Sequence, residues 1–355
     1  MALELEARAE LGALRLELAL RVEDGECLAL AGPSGAGKTS VLRIVAGLLE
    51  PARGRLACGD EVWLDSARGL RVPPERRRCG YVFQEYALFP HLNAVDNVAY
   101  GLAGLRRGER RSRAVELLER FDIGHLAHAR PASCSGGERQ RIALARALAR
   151  GPRALLLDEP LSALDARTRA RAVRELGALL REARLPALLV THDFMEAALL
   201  GRRVGVMDAG AILQLGTAAE LAAAPASAFV ADFTGAVVLT GVARDGPEGL
   251  TLVDLDGGNT VASTDAGRGP VAASVYPWEI AVEPGERATP GSQQNRLPAE
   301  VVSITAMGNR VRLGLAGPQP LACEITRASA GQLGLVAGSR VTAVWKAAAT
   351  RLVRL

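Results

Sequence analysis

A glycine-rich segment near the amino terminus, Gly32-Pro-Ser-Gly-Ala-Gly-Lys38-Thr39, has the residue types and spacing of a loop that binds phosphate groups. It lies between a short apolar run, Cys27–Leu30, and a helical pattern that begins at Ser40. Glycines let the backbone turn so that its N–H groups converge on phosphate oxygens, and the following helix N-terminus adds partial positive charge. The residues expected to bind a nucleotide here are Gly32, Pro33, Ser34, Gly35, Ala36, Gly37, Lys38, Thr39 and Ser40.

Two side chains of this loop carry specific chemistry. Lys38 is expected to reach the β- and γ-phosphates, and Thr39 to supply a hydroxyl ligand to Mg²⁺. Lys38 and Lys346 are the only lysines in a chain with 43 basic residues. Because arginine stands almost everywhere else, a lysine at this position indicates a need for a compact ammonium group.

The run Ala154–Leu157 ends in two carboxylates, Asp158 and Glu159. An aspartate at the carboxyl end of a buried strand is suited to hold Mg²⁺, commonly through water. Glu159 points elsewhere and is expected to polarise an attacking water as general base. An ordinary strand-to-turn ending would explain either acid alone, but the phosphate loop upstream favours the catalytic interpretation.

The segment Cys134-Ser-Gly-Gly-Glu-Arg-Gln-Arg141 narrows the class of nucleotide hydrolase, because a Ser-Gly-Gly turn that opens a helix is a second anion-binding N-terminus. One active site does not need two, so the second is expected to act on a neighbouring subunit's nucleotide. With these motifs the sequence resembles the ATP-binding cassette (ABC) family. Gln84 resembles that family's glutamine loop, Ser162-Ala-Leu-Asp165 its dimer-contacting aspartate loop, and His192 its switch histidine.

The resemblance covers residues 1–233 nearly end to end and implies a mechanism. Two copies face each other head to tail and sandwich two ATP molecules. Lys38 of one copy and Ser135, Gly136 and Gly137 of the other hold each γ-phosphate, and Asp165 lines the contact. Glu159, His192 and Gln84 are the implied catalytic residues, and Thr39, Gln84 and Asp158 are the implied Mg²⁺ ligands.

The sequence departs from the family's pattern at three places. Cys134 stands where the family usually has leucine, and Glu138 where glutamine is common. The family stacks adenine on an aromatic residue upstream of the phosphate loop, whereas no aromatic residue precedes Trp63. Adenine selectivity is therefore less secure than triphosphate binding, unless Leu11 or Leu14 covers the base.

Short apolar runs alternate with helical patterns over residues 1–233, which predicts an α/β fold with a mainly parallel sheet. With the resemblance, this is a P-loop NTPase fold of the ABC type with a helical subdomain. The helical patterns are Ser40–Leu49, Ala114–Phe121, Glu138–Ala149 and Thr168–Glu182. From about Gly235 short β-prone runs predict an all-β domain at 234–355, and the stretch Glu283–Gln294 is expected to divide it into two modules.

The β domain resembles the OB-fold-like TOBE or mop-like appendage of importer ATPases, a module that also occurs in molybdate-binding proteins. The segments that carry this resemblance are Tyr276–Ile280, Ser292–Val301, Cys323–Ser329 and Gly338–Lys346. It implies an oxyanion site that includes Ser292, Asn295 and Ser329. The usual Ser-Ala-Arg-Asn run is Ser-Gln-Gln-Asn here, so a purely structural, dimerising appendage is an equal alternative.

Composition excludes several other classes. Hydrophobic residues make up 49% and charged residues 23%, as in a folded protein, and no run of 18 uncharged apolar residues is present. Aromatic residues are only 4%, which argues against nucleic acid as a partner despite a net charge of +4. Charged residues from Glu4 to Glu10 interrupt the first apolar pattern, which is unlike a secretory signal. Five cysteines without a Cys-x-x-Cys pair favour reduced thiols.

Together these observations predict the ATP-hydrolysing subunit of an ABC importer, with ATP and Mg²⁺ as cofactors and molybdate or tungstate as cargo. The segments Tyr86–Leu92 and Asn97–Gly101 resemble the region that receives an integral membrane permease. Expected partners are therefore a second copy, permease subunits and, indirectly, an external binding protein, at the cytoplasmic face of the inner membrane. The alternatives are a sulfate, polyamine or iron importer ATPase and, from another class, a non-transport ABC ATPase with a ligand-sensing β domain.

Overall fold

The computed structural model describes residues 2–102, 104–162, 164, 166–285 and 292–355. It consists of two compact units, Met1–Ala218 and Ala219–Leu355. A functional boundary between residues 233 and 234 stays a prediction. No helix among the described residues is long and apolar enough to cross a membrane.

The first unit alternates strands and helices along the chain. In order they are β1 (Leu3–Leu11), β2 (Leu14–Val22), β3 (Cys27–Ala31), α1 (Lys38–Ala46), β4 (Arg53–Cys58), β5 (Glu61–Asp65), β6 (Leu70–Arg71), β7 (Cys79–Val82), α2 (Ala94–Tyr100), α3 (Arg107–Arg120), α4 (Gly136–Ala149), β8 (Ala154–Asp158), α5 (Ala166–Ala183), β9 (Ala187–Thr191), α6 (Phe194–Leu200), β10 (Arg203–Asp208) and β11 (Ala211–Gly216).

The central sheet of this unit has the order β11-β10-β3-β9-β8-β7, and every neighbouring pair is parallel except β10 and β11. Strands β3, β8 and β9 are buried at every residue. Continuous apolar strands of this kind occur where helices cover both faces of a parallel sheet. The predicted α/β fold with a mainly parallel sheet is confirmed.

A second, antiparallel sheet has the order β2-β1-β4-β5-β6 and was not predicted. In β1 the residues Leu3, Leu5, Ala7 and Ala9 are buried, whereas the charged residues between them face outward. This alternation with a period of two is the signal of a half-buried strand. The buried side chains join one core with α1 and the central sheet.

Two of the four predicted helices begin or end three or more residues away from their predicted bounds. The helix predicted at Ser40–Leu49 runs instead from Lys38 to Ala46, because Gly47, with φ of 79°, ends it in the left-handed conformation. The helix predicted at Ala114–Phe121 begins earlier, at Arg107. Its first turns are arginine-rich and solvent-exposed, so they carry no apolar periodicity.

The chain continues with α7 (Ala218–Ala223), α8 (Ala228–Phe233), β12 (Val237–Asp245), β13 (Thr251–Leu255), β14 (Thr260–Ser263), β15 (Gly269–Val275), β16 (Ala281–Pro284), β17 (Asn295–Met307), β18 (Arg310–Ala316), β19 (Pro320–Thr326), α9 (Arg327–Gln332), β20 (Arg340–Trp345) and β21 (Arg351–Arg354). The strands form two sheets, ordered β14-β13-β12-β15-β21 and β16-β20-β17-β18-β19.

The predicted division of this domain into two modules at Glu283–Gln294 is wrong. Strand β16 precedes most of that stretch yet pairs with β20 in the second sheet, and β21 returns from the C-terminus to pair with β15 in the first. Buried side chains of both sheets form a single core. The β-rich C-terminal domain that the sequence predicted is confirmed, with one short helix, α9, among its strands.

Candidate functional site

The carboxyl ends of neighbouring parallel strands bring the predicted hydrolysis residues together. Gln84 follows β7, Glu159 follows β8 and His192 follows β9, and these three strands are adjacent in the sheet. The phosphate loop follows β3, on the other side of β9. Ligand sites of open α/β sheets form at this edge, because the strands deliver their loops to one place.

The phosphate loop depends on glycine where it approaches the rest of the unit. A Cβ atom on Gly32 would lie 1.9 Å from the carbonyl oxygen of Met207, in β10. Gly37 has φ of 97° and directly precedes the helix α1. Only glycine accepts both constraints without strain, so these residues set the path of the loop toward the helix N-terminus.

Lys38 is folded into the loop. Its Nζ donates hydrogen bonds of 2.8 Å to the carbonyl oxygens of Gly32 and Pro33, and the residue is 5% exposed. Burial lowers the pKa of the Lys38 ammonium, while the nearby carboxylates of Glu159 and Asp158 oppose that shift. The ammonium thus lies at the centre of the loop with neutral acceptors that a phosphate group could replace.

Thr39 and Asp158 present oxygen ligands beside this loop. Thr39 Oγ1 donates to Asp158 Oδ1 at 2.9 Å, and the hydroxyl of Tyr81 donates to Asp158 Oδ2 at 3.0 Å. Gln84 donates its Nε2 to Glu159 Oε2, which leaves the amide oxygen without a partner in the described part of the chain. A hydroxyl, a carboxylate and an amide oxygen are hard donors, so this set fits Mg²⁺.

Glu159 is the common partner of the other two predicted catalytic residues. Its Oε2 lies 3.2 Å from His192 Nδ1 and 3.2 Å from Gln84 Nε2. The side chain is 17% exposed, so it combines a fixed position with access to water. Such a carboxylate, oriented by two polar groups, has the geometry of a general base.

The backbone at Glu159 is held in an unusual conformation, with φ of 43°. Its N–H donates to the carbonyl oxygen of Val190, and its own carbonyl accepts from both the N–H and the hydroxyl of Ser162. Left-handed conformations of bulky residues persist where neighbouring bonds over-determine them, which is common at functional sites. The strain aims the carboxylate at the glutamine and histidine loops.

The segment that is predicted to form a second anion site lies at the N-terminus of α4. Ser135 caps this helix and accepts the N–H of Glu138, while the Glu138 carboxylate accepts the N–H of Ser135 at 2.7 Å. That backbone hydrogen bond lowers the pKa of Glu138. Glu138 therefore completes a capping box. Cys134 is 8% exposed, and its thiol donates to the carbonyl oxygen of Arg130 at 3.3 Å.

The structure does not bring this second anion site to the phosphate loop. In the ranges that the structure describes, no hydrogen bond joins Ser135, Gly136 or Gly137 to residues 32–40. Ser135 is exposed and Gly136 and Gly137 are half-buried. Asp165 of the predicted aspartate loop lies outside the described residues.

Sequence reasoning missed two residues that shape the site. Arg146, on α4, donates 2.7 Å bonds to the carbonyls of Tyr86 and Ala87, whose φ values of 62° and 45° mark a strained glutamine loop. Tyr81 holds Asp158 as described above. Neither had a signal in the sequence, because an arginine in an arginine-rich helix and a tyrosine in a strand are both common.

The three predicted oxyanion residues lie in different surroundings. Asn295 is fully buried, and its amide bonds to the backbone N–H and carbonyl of Ala262 and to the Thr350 hydroxyl. No donor of that side chain is left for an anion, which corrects the expectation for Asn295. Ser329 bonds to Thr326 at the start of α9, and Ser292 is exposed.

Comparisons with known proteins found families and relatives that are similar to this chain. Residues 16–162 match the ABC transporter family model, and residues 291–352 match the TOBE domain model. The molybdate/tungstate import ATP-binding protein WtpC of Pyrococcus abyssi is 37% identical over 95% of this chain and 95% of its own length. The Fe(3+) ions import ATP-binding protein FbpC of Agrobacterium fabrum is 40% identical over 83% of this chain and 81% of its own.

Two further matches cover a smaller share of this chain. The trehalose/maltose import ATP-binding protein MalK of Thermococcus litoralis is 45% identical, over 62% of this chain and 59% of its own length. A dimeric, post-hydrolysis structure of the ATP-binding cassette MJ0796 with ADP and Pi matches with a TM-score of 0.52 and 30% identity, over 61% of this chain and 98% of that one. The chain belongs to the ABC transporter family, as an import-type ATP-binding cassette ATPase with a TOBE domain.

Proposed function

We propose that this chain drives the uptake of molybdate or tungstate, as the ATP-hydrolysing subunit of an importer that works as a pair of cassettes. The observation that carries the proposal is the WtpC relative, which matches 95% of both chains and thus extends through the β domain. The phosphate loop, the two carboxylates at the end of β8 (Asp158 and Glu159) and His192 supply the ATPase chemistry.

Within one cassette, Lys38 and the loop N–H groups bind the β- and γ-phosphates. Thr39, Asp158 and the amide oxygen of Gln84 would hold Mg²⁺, which neutralises charge on those phosphates. Glu159 accepts a proton from the attacking water, and His192 orients its carboxylate from the Nδ1 side. These are preorganised donors and acceptors, whose effect on the transition state is largely electrostatic.

The second copy completes the site. The first turn of α4 contributes the N–H groups of Gly136 and Gly137 and the hydroxyl of Ser135, whereas the Ser135 N–H is already bound to the Glu138 carboxylate. Placed against a partner's γ-phosphate, they add the donors that a single cassette lacks. The MJ0796 relative is a dimer with ADP and Pi, which supports a paired arrangement here.

A permease is the expected partner of the surface around Phe89, at the inner face of the cell membrane. Phe89 packs against Tyr100 with ring centroids 4.5 Å apart, and Tyr100 is 62% exposed. Asn97 fixes this loop, since it accepts the N–H of Phe89 and donates to its carbonyl. A half-buried and an exposed aromatic ring, at a loop held by hydrogen bonds, suit the binding of an apolar helix end.

Iron is the second candidate cargo, because the FbpC relative is 40% identical over 83% of the chain. Uptake measurements distinguish iron from molybdate or tungstate as the cargo. The gene is deleted in its host, and cellular molybdenum, tungsten, iron and sulfur are measured with and without each ion as sole limiting supply. Complementation uses the native chain and Glu159→Gln.

A loss confined to molybdenum and tungsten, restored by the native chain only, supports the proposal. A loss of iron uptake would instead make this an iron importer subunit. Unchanged uptake of every ion, together with ATPase activity in the purified chain, would favour a non-transport ABC ATPase.

A further inference from the structure

Two buried polar atoms of opposite charge lie near the hydrolysis site without partners. Glu196, the third residue of α6, is 7% exposed, and its Oε1 receives no hydrogen bond from a described residue. Arg169, on α5, has a buried Nε that likewise donates to no described group. Orphaned buried atoms cost free energy, so two such atoms, one on a carboxylate and one on a guanidinium, call for an explanation.

Glu196 holds the backbone on both sides of His192. Its Oε2 accepts the hydroxyl of Thr191 at 2.9 Å, and that hydroxyl accepts the N–H of Asp193 at 3.1 Å. Asp193 closes the ring of contacts, because its Oδ1 accepts the N–H of Glu196 at 3.1 Å. His192 lies between Thr191 and Asp193, so the position of Glu196 sets the position of the histidine.

Arg169 is hydrogen-bonded to a second segment, the aspartate loop. Its Nη2 donates a 3.1 Å hydrogen bond to the carbonyl of Leu164, the residue that directly precedes Asp165 in the sequence. Helix α5 begins at Ala166, so this guanidinium spans the end of the aspartate loop and the first turn of the helix. A movement of that loop therefore moves Arg169.

Arg169 is one of four residues, with Thr191, Asp193 and His192, that act on the charge of the Glu196 carboxyl. Burial raises the pKa of the Glu196 carboxyl to about 7, and the charge of Asp193 acts in the same direction. The Thr191 hydrogen bond and the charges of Arg169 and His192 oppose that rise. From the glutamine loop, Tyr86 also faces this carboxyl, and the pKa of Tyr86 is raised by burial and by Glu196, against the charge of Arg139.

We propose that Glu196 and Arg169 are a positioning pair, in which Arg169 Nε donates to Glu196 Oε1 when two cassettes close on nucleotide. The bond joins the aspartate loop, which the partner copy would contact, to the loop that carries His192. Dimer closure thereby orients the histidine for hydrolysis. Neither residue touches the nucleotide, and the inference rests on the proposed role of His192 and on the paired cassettes.

A double-mutant cycle tests the pair. Glu196→Gln, Arg169→Gln and the double variant of the full chain are assayed for steady-state ATP hydrolysis. Each single variant should lower kcat by about fivefold or more with KM for ATP within about twofold, and the double variant should be no slower than the slower single variant. Losses that multiply in the double variant, or that fall on KM alone, would overturn the pair.

Three controls make the result specific. Arg171→Gln alters an exposed arginine on the same helix, paired with Glu175, and should leave kcat unchanged. Arg169→Lys keeps the charge without the Nε donor, so it should reproduce the loss even if Arg169→Gln proves unstable. The native kcat should fall as the pH drops through about 7, because Glu196 gains a proton, and Glu196→Gln should remove that component of the profile.

His192→Ala separates failure of the pair from failure of the proposed site. Full turnover by His192→Ala would overturn the role of the histidine, and the pair with it. Loss of turnover in His192→Ala with normal kcat in Glu196→Gln would overturn the pair alone.

Discussion

Thr39 Oγ1 lies 2.9 Å from Asp158 Oδ1, a hydrogen bond between residues 119 positions apart in the chain. Thr39 is in the first turn of α1 and Asp158 is the last residue of β8. The bond shows that the phosphate loop and the acid strand meet at one point, with two hard oxygen ligands already side by side. It also identifies where magnesium chemistry can be tested.

Removing the Thr39 hydroxyl should weaken Mg²⁺ binding. We expect Thr39→Val to raise the Mg²⁺ concentration for half-maximal ATP hydrolysis by roughly tenfold or more, since an oxygen ligand is lost. Thr39→Ser keeps the hydroxyl and should stay close to the native chain. The measurement is phosphate release against free Mg²⁺, with EDTA expected to abolish it. An identical Mg²⁺ dependence in Thr39→Val would remove Thr39 from the metal site.

Neutralising Glu159 should stop hydrolysis without preventing ATP binding. We expect Glu159→Gln to lower kcat by roughly 10²–10⁴, the usual contribution of a general base, and to accumulate as an ATP-bound dimer. Phosphate release and size-exclusion chromatography with ATP measure the two effects. Glu182→Gln, an exposed acid of α5 that pairs with Arg120, is the matched control. ATP hydrolysis by Glu159→Gln at the native rate would show that Glu159 is not the general base.

Leu14 is the residue best placed to contact the adenine base of a bound ATP. A Cβ atom on Gly37 would lie 3.1 Å from Leu14 Cδ2, so this half-buried side chain lies against the phosphate loop. Leucine cannot stack as an aromatic ring does, so KM for ATP and GTP should differ by less than about tenfold. Leu14→Tyr should tighten ATP binding by roughly 1–3 kcal/mol.

Leu11→Tyr, at the other end of the same turn, is the comparison for the base-binding prediction. Nucleotide titrations monitored by calorimetry give the affinities. A larger gain from Leu11→Tyr than from Leu14→Tyr would assign the base to Leu11 instead.

The ion pair of Glu26 with Arg203 should make stability depend on pH. Glu26 is 3% exposed and accepts a 2.6 Å bond from Arg203 Nε. Burial by itself raises the pKa of Glu26, but the bonds from Arg203 and from the N–H of Glu23 outweigh it and leave that pKa below its ordinary value of 4.5. The pair therefore stabilises the fold above pH 4.5, and this contribution is lost as the pH falls through the lowered pKa.

Urea unfolding of Glu26→Gln tests this pH dependence. At pH 7 the variant should lose about 1.5–3 kcal/mol of unfolding free energy, as expected for a hydrogen bond to a charged group. The difference from the native chain should shrink as the pH falls below about 4. Glu23→Gln, whose side chain is largely exposed, serves for comparison. A difference that is constant from pH 7 to pH 3 would contradict the linkage.

The local motifs of the nucleotide site could be predicted from the sequence without knowledge of the fold. The glycines and Lys38 of the phosphate loop, and the apolar run that ends at Asp158, specify their own turns and strands through spacing alone. The change from helical to β-prone patterns near Gly235 likewise located the all-β domain. The arginine-rich start of α3 was missed, since a solvated helix surface has no apolar period to detect.

The sequence by itself determined the nucleotide-binding motifs and the order of the two architectures, because each is encoded by neighbours along the chain. Only the tertiary structure decided which residues meet. Strand order placed Gln84, Glu159 and His192 within hydrogen-bond reach. Folding also bonded the buried Asn295 amide to Ala262 and Thr350. Packing left Glu196 Oε1 and Arg169 Nε without partners among the described residues. Contacts between distant residues depend on how strands pair and what they bury, and local spacing does not encode either.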